Sequence, residues 1–86
     1  MYQQFFPSIF FSPGEILQDE LEASGLTLED LSNISEDLPE LVNGIIQGIQ
    51  PITYRIAMML HKAFGTSPEF WMNLEADYRL YLAHKK

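Results

Sequence analysis

The 86-residue chain contains no cysteine. This absence excludes disulfide bonds, thiolate catalysis and zinc sites built on thiolates. The chain also has no apolar run approaching the ~18 residues that a membrane-spanning helix requires. Its opening segment, MYQQFFPSIFFSPG, carries no positive charge and is interrupted by Pro7 and Pro13, so it does not match a secretory signal. We therefore expect a cytoplasmic protein with no membrane partner.

Basic residues are missing from most of the chain. The first 54 residues hold nine carboxylates and no lysine or arginine, and Arg55 is the first base. From Arg55 onward five bases stand against three acids, which leaves a net charge of −7 for the whole chain. Because bases that neutralise phosphates supply most of the non-specific affinity for nucleic acid, weak non-specific binding is predicted. A basic protein partner would be attracted to the acidic half.

Hydrophobic residues make up 47% of the chain, enough for one small folded domain. Signals for helix starts and ends divide residues 12–86 into five segments. The starts are a serine or threonine cap, or a proline in the first turn, and they lie at Ser12, Thr27, Leu38, Thr53 and Ser67. No strand-like alternation of useful length appears. The sequence predicts an all-α, compact bundle of about five short helices, preceded by an apolar aromatic segment at residues 1–11.

The second and third predicted helices are separated by the short turn at Ser35, Glu36 and Asp37. Two helices joined in this way inside a small helical domain are typical of a helix-turn-helix. Gly44 lies inside the third helix and costs about 1 kcal/mol of helix propensity relative to alanine. Phe70 and Trp71, near the start of the fifth helix, are expected in the core.

Four motifs carry a resemblance to a known family: PGEIL at residues 13–17, GLT at 25–27, G-x-x-PIT at 48–53, and FGTSPEFWMNL at 64–74. Through these motifs the chain resembles the HigA/VapI antitoxins. The resemblance extends without a gap from about Ser12 to Tyr81. Those proteins belong to the Xre/Cro-type helix-turn-helix family, and FGTSPEFWMNL is the most specific of the four motifs. The resemblance implies a lambda-repressor-like fold.

The resemblance also implies functions. Antitoxins of this family are dimeric repressors of their own operon, and they neutralise HigB, a small ribosome-dependent mRNA endonuclease. The expected partners are therefore a HigB-like toxin or another basic protein, a second copy of the chain, and operator DNA. A palindromic operator would match the symmetry of a dimer.

The third helix departs from the family pattern. The family has an L-G-V-S-like turn before this helix, whereas this chain has Ser35, Glu36, Asp37 and Leu38. The small hydroxyl residues that commonly begin the family's recognition helix are replaced by Leu38, Glu40 and Leu41. After the helix the family tends to have N-G-K-R-P-I-T, whereas this chain has QGIQPIT at residues 47–53, in which neither base is present. Like charges repel phosphates within a Debye length of ~8 Å. We expect operator binding to be weakened.

Six residues are candidates for DNA contact. Asn43, Gln47 and Gln50 carry amides that suit adenine in the major groove, or they are ordinary solvated residues. Thr53, Tyr54 and Arg55 open the fourth helix, where free amides favour a phosphate. The alternative is that Thr53 only caps the helix and Arg55 only faces solvent.

Candidates for protein contact fall into three groups. Glu36, Asp37 and Glu40 belong to an acidic surface that fits a basic toxin, imitates a phosphate backbone, or is simply solvated. The phenylalanines of FFPSIFF at residues 5–11 either fold back over the core or dock on another protein or a second subunit. These are Phe5, Phe6, Phe10 and Phe11. Tyr78, Tyr81 and Leu82 are candidates for a dimer seam.

No catalytic chemistry is predicted. His61 and His84 have no carboxylate or second histidine at metal-ligand spacing, and no nucleophile–base pair or glycine-rich phosphate loop is present. We expect no metal, no cofactor and no enzymatic activity. Two functions remain open: an antitoxin-type helix-turn-helix regulator, or an acidic protein-binding module that has lost DNA binding. An orphan protein without a specific partner is the third possibility.

Overall fold

A computed structural model describes residues 12–84. The aromatic segment at residues 1–11, with the candidates Phe5, Phe6, Phe10 and Phe11, lies outside the described residues, as do the two final lysines. The described part contains five helices and no strand. They are α1 Pro13–Ser24, α2 Leu28–Ile34, α3 Leu38–Ile46, α4 Tyr54–Phe64 and α5 Pro68–His84. The predicted all-α bundle of five helices is confirmed.

Local sequence sets the starts of the first two helices. Ser12 Oγ accepts a hydrogen bond from Glu15 N at 3.3 Å, and Ser12 N donates to Glu15 Oε1 at 2.9 Å. Thr27 and Asp30 repeat this exchange at 3.1 and 3.0 Å. Such reciprocal bonds satisfy amides that have no partner within the helix. The predicted starts at Ser12 and Thr27 are therefore confirmed.

The core takes side chains from every helix and from the loop before α4. Its buried hydrophobic members are Leu17, Leu31, Leu38, Val42, Ile45, Ile52, Ile56, Ala57, Met59, Leu60 and Trp71. Trp71 satisfies its polar end by donating from Nε1 to Thr66 Oγ1 at 2.6 Å. Phe70, predicted in the core, is 39% exposed and lies edge-on to Trp71. The prediction for Phe70 was wrong because neighbouring residues on a helix point about 100° apart.

Helices α1 and α3 approach each other at Gly14. This residue is buried, and a Cβ placed on it would lie 2.4 Å from the carbonyl oxygen of Ile45 and 2.9 Å from Cα of Ile46. Both neighbours are backbone atoms, which move only with the helix. A residue without a side chain is therefore required, and Gly14 sets the distance between α1 and α3.

Gly44, inside α3, likewise allows another part of the chain to approach closely. The helix continues through it to Ile46, and the chain then turns back, so that the amides of Ile49 and Gln50 donate to Gly44 O at 2.9 and 3.1 Å. A Cβ on Gly44 would lie 2.9 Å from Cβ of Gln50. The glycine thus gives up some helix propensity and lets the loop after α3 close over the helix end.

No helix within residues 12–84 is both long enough and apolar enough to cross a membrane.

Candidate nucleic-acid interface

Helices α2 and α3 form a helix-turn-helix. The turn is short, and the amide of Leu38 donates to Ser35 O at 3.0 Å while the amide of Ser35 donates to Leu31 O at 3.2 Å. Leu31 and Leu38, on either side of the turn, are both fully buried. Anchoring the two helices in the core leaves the opposite face of α3 at the surface, where a recognition helix contacts DNA.

The outward face of α3 carries both amides and an acid. Glu40 and Asn43 are exposed, and so is Gln47 at the end of the helix, whereas Val42 and Ile45 point into the core. Positions separated by three and four residues share one face of a helix. Asn43 and Gln47 are therefore placed together as the prediction requires, but Glu40 shares their face.

Gln50 lies apart from the other two amides. Its side chain is half-buried, its Cβ packs against Gly44, and its Nε2 donates to Pro51 O at 2.7 Å. The amide therefore serves the conformation of its own loop.

Thr53, Tyr54 and Arg55 lie at the start of α4 and are all exposed. Thr53 Oγ1 accepts a hydrogen bond from Ile56 N at 3.3 Å, which makes Thr53 the helix cap. Arg55 Nη2 lies 3.1 Å from Asp37 Oδ2, so this ion pair joins the start of α4 to the start of α3. The structure thus brings together a DNA candidate and a protein-contact candidate that the sequence had suggested for separate sites.

Asp37 is held in its charged form. Its Oδ1 accepts a hydrogen bond from Ser35 Oγ at 2.5 Å. That bond, followed by the bond from Arg55, lowers the pKa of the Asp37 carboxyl below its ordinary value of 3.8. Arg55 is therefore balanced by an ionised partner. Among the described residues Glu36 and Glu40, both exposed, have no basic partner, so the surface around α3 is negative.

The comparisons with known proteins agree with this geometry. The chain is 40% identical over 77 residues to an uncharacterized HTH-type transcriptional regulator of Haemophilus influenzae, covering 87% of this chain and 72% of the relative. The chain is a member of the helix-turn-helix family of transcriptional regulators. No family model matches the chain.

Two further relatives of this helix-turn-helix protein span similar lengths. One is the uncharacterized HTH-type transcriptional regulator YddM of Escherichia coli K12, 29% identical and covering 85% of this chain and 78% of the relative. The other is virulence-associated protein I of Dichelobacter nodosus, which is 32% identical, with the match covering 85% of this chain and 68% of the relative. Their names are those of regulators and of the VapI proteins, which confirms the predicted resemblance at that level.

A residue to which the sequence assigned no role supports the loop next to the candidate interface of this helix-turn-helix protein. Glu75, on α5, is 8% exposed. Its Oε1 accepts a hydrogen bond from Ile52 N at 3.2 Å and its Oε2 from Arg79 Nε at 2.7 Å. Ile52 lies in the loop between α3 and α4, so Glu75 ties this loop to α5. The four-residue spacing of Glu75 and Arg79 indicates their ion pair, but nothing in the sequence indicates the bond to Ile52.

Residues 12–84 contain no group of three or more histidine, cysteine or carboxylate side chains that could hold a metal ion. Each histidine instead bonds to a backbone carbonyl: His61 Nδ1 lies 2.9 Å from Thr66 O, and His84 Nδ1 lies 2.9 Å from Leu80 O. Both histidines thus contribute to local helix structure.

The dimer candidates of the helix-turn-helix protein lie along the second half of α5. The rings of Tyr78 and Tyr81 stack with centroids 6.4 Å apart, and both side chains are half-buried. Leu82 is 45% exposed. Tyr78 is three residues from Tyr81 and four from Leu82, so the three share one face of α5. Their part in a dimer remains a prediction.

Proposed function

We propose that this chain is an antitoxin-type transcriptional repressor, which binds operator DNA through the outer face of α3 and the start of α4. One observation carries the proposal: Asn43 and Gln47 are exposed together on the outer face of α3, the second helix of the helix-turn-helix. The chain that carries them is 40% identical to an HTH-type transcriptional regulator. Similarity to a VapI protein, whose family contains antitoxins by the resemblance described above, supports the toxin-binding part.

The two regions have different tasks in this proposal. Asn43 and Gln47 read base edges, for which adenine is the preferred partner of an amide. The first turn of α4 receives a phosphate through its free amides at Tyr54 and Arg55, helped by the positive end of the helix. When DNA binds, the guanidinium of Arg55 leaves Asp37 and pairs with that phosphate instead.

Glu36 and Glu40 repel the same phosphates, so binding is weak and depends on the correct base sequence. A dimer that contacts two half-sites compensates for the weakness of each one. Tyr78, Tyr81 and Leu82 supply the dimer contact in this proposal, and the acidic surface binds a HigB-like toxin in the cytoplasm.

Titration of the upstream DNA of the chain's own gene, in about 50 mM salt where phosphate contacts are strong, tests the regulatory part. We expect a gel shift that a scrambled duplex of equal length does not give. Asn43→Ala should reduce the difference between the two duplexes, and Gln18→Ala, on the exposed face of α1, is the matched control. No shift at micromolar protein contradicts operator binding.

The toxin part is tested with the product of the neighbouring gene, if that gene encodes a small basic protein. We expect the two proteins to elute as one complex at low salt and to separate more readily after Glu36→Lys, since Glu36 is an exposed member of the acidic surface. A complex that does not form, or no such gene, removes the antitoxin role.

The arrangement of charges favours a second candidate, an acidic protein-binding module without DNA binding. Among residues 12–54 no base is present, and Arg55, the first one, is already paired with Asp37. Retention of a basic protein together with the absence of any gel shift at low salt would select this candidate.

A further inference from the structure

The loop between α3 and α4, residues 47–53, joins the two parts of the candidate interface. The exposed Gln47 ends α3, and α4 begins directly after its cap residue Thr53. The position of the first turn of α4 relative to Asn43 and Gln47 therefore depends on the path of this loop.

The loop is fixed near both of its ends by hydrogen bonds from backbone amides. Near its beginning, the amides of Ile49 and Gln50 donate to Gly44 O at 2.9 and 3.1 Å. Near its end, the amide of Ile52 donates to Glu75 Oε1 at 3.2 Å. The first part of the loop is thus held by α3 itself, and the last part by one side chain of α5.

The Glu75 carboxylate is itself held in place. Glu75 is 8% exposed, and its Oε2 accepts a hydrogen bond from Arg79 Nε at 2.7 Å, which leaves Oε1 for the amide of Ile52. A hydrogen bond to a charged group is among the stronger ones in a protein. Because Ile52 is followed directly by Thr53, the bond fixes the backbone immediately before the cap of α4.

This bond has a consequence for DNA recognition. Phosphate contacts fix the register of a protein on the duplex, and base contacts read the sequence. The proposed function assigns the phosphate contact to the start of α4 and the base contacts to Asn43 and Gln47 on α3. A loop that moved would let the phosphate contact form while the two amides lay out of register with their bases.

We propose that Glu75 is a positioning residue for DNA recognition. By accepting the amide of Ile52, its carboxylate holds the start of α4 in register with α3, and so preserves the preference for operator over other DNA. Glu75 itself touches no DNA. The effect on specificity rests on the proposed function, whereas the hold on the loop is measured without DNA.

Three variants separate this role from charge and from stability. Glu75→Leu removes the acceptor, and Glu75→Gln keeps a side-chain carbonyl oxygen for the amide of Ile52. Both lose the same charge, so a difference between them is not an effect of net charge on DNA affinity. Leu21→Ala, which shortens a half-buried side chain of α1 packed against the core, is the matched control for stability.

Amide hydrogen exchange measures the hold on the loop. The exchange rate of the Ile52 amide is compared with that of Leu60, which is fully buried inside α4. In Glu75→Leu this ratio should rise about tenfold, the factor that corresponds to one lost hydrogen bond to a charged group. It should keep its wild-type value in Glu75→Gln and in Leu21→Ala.

Three exchange results would overturn the proposal: an unchanged ratio in Glu75→Leu, an equal rise in Glu75→Gln, or an equal rise in Leu21→Ala. Should the leucine variant not fold, Glu75→Asp takes its place, since it keeps the charge and withdraws the carboxylate by one methylene group.

Gel-shift titrations with the upstream duplex and its scrambled counterpart measure the effect on specificity. The ratio of the two affinities should fall about tenfold in Glu75→Leu, as for the loss of one good base contact. Glu75→Gln and Leu21→Ala should keep the wild-type ratio. An unchanged ratio in Glu75→Leu, or an equal fall in Leu21→Ala, overturns the proposal and leaves operator binding intact.

Failure of the proposed function gives a different result. No shift with the wild-type chain contradicts operator binding and, with it, the effect on specificity. The exchange ratio then still decides whether Glu75 holds the start of α4.

Discussion

The two faces of α3 have been shaped by different requirements. Its inner face buries Leu38, Val42 and Ile45, and its backbone lies too close to Gly14 of α1 for a side chain there. Its outer face presents Glu40 beside Asn43 and Gln47. The inner face is that of an ordinary helix-turn-helix, and the outer face is unusually acidic for a helix that approaches phosphates.

The difference shows that fold and binding chemistry are separable within one helix. Packing depends on apolar volume, and a changed buried atom affects many neighbours. An exposed side chain has few neighbours, and exchanging it usually alters stability by no more than ~0.5 kcal/mol. A helix-turn-helix can therefore keep its shape while its affinity for DNA changes widely.

The largest effect is expected on the inner face, from Gly14→Ala. The new Cβ meets backbone atoms of Ile45 and Ile46, so α1 and α3 must separate. We expect a loss of roughly 3 kcal/mol in the free energy of unfolding, at the upper end for overpacked sites, measured by urea unfolding. Gln18→Ala, exposed on the same helix, is the control and should change it by less than ~0.5 kcal/mol. Equal stability of the two variants would show that the close approach is not needed.

The second prediction concerns Glu75, which holds the loop behind the outer face. In Glu75→Leu the amide of Ile52 stays buried without an acceptor, which costs roughly 1–3 kcal/mol. Arg79→Gln leaves that bond intact and removes a pair whose base is 59% exposed, so we expect a loss below about 1 kcal/mol. Urea unfolding of both variants measures the difference. If Arg79→Gln is as damaging as Glu75→Leu, the ion pair and not the bond to the loop is the important contact.

The third prediction tests the outer face alone. Glu40→Lys removes a repulsive charge and adds a base, so DNA affinity should rise and the dependence of log affinity on log salt should steepen by roughly 0.9 for one added phosphate contact. Stability should change by less than about 1 kcal/mol. Glu22→Lys makes the same charge change on α1 and is the control for net charge. An equal rise in both variants would mean that α3 does not approach DNA.

The smallest effect is expected from Asp37, at the junction of the two faces. Because its folded-state pKa lies below the ordinary 3.8, its ionised form stabilises the fold above that pH, and this contribution disappears as pH falls through the lowered pKa. The stability difference between wild type and Asp37→Asn should therefore be constant near neutral pH and shrink on acidification. Urea unfolding over a pH series measures it.

Two variants divide this effect between its causes. Ser35→Ala removes the hydrogen bond that is the larger cause of the lowered Asp37 pKa. It should therefore reduce the pH-dependent stability difference between Asp37 and its Asn variant more than Arg55→Gln does. A difference between wild type and Asp37→Asn that is the same at every pH would contradict the assignment.

Much of the fold was predictable because its signals are local. The capping boxes at Ser12 and Thr27 and the first-turn proline at Pro39 act within a few residues of their own position. Phe70 was placed wrongly because periodicity cannot decide which of two adjacent aromatic residues faces the core. The need for Gly14 was not predicted, since it arises from Ile45 and Ile46, about thirty residues away in the sequence.

The candidate site was predictable only in part. Exposure of Asn43 and Gln47 follows from the helical period, and their place on one face was predictable from their spacing. Three contacts were not predictable, because each joins separate elements or reverses the chain. They are the bond from Gln50 N to Gly44 O, the pairing of Asp37 with Arg55, and the bond from Ile52 N to Glu75. Composition and spacing contain no record of such contacts.

The sequence by itself determined where the helices begin and end, the acidic character of the first 54 residues, and the family to which the chain belongs. These properties depend on residue type and on neighbours close in the chain. Only the tertiary structure decided that the first base is neutralised by an acid of the α2–α3 turn, and that a buried carboxylate of α5 holds the loop after α3. Both outcomes depend on which distant atoms the packed core brings within hydrogen-bonding distance.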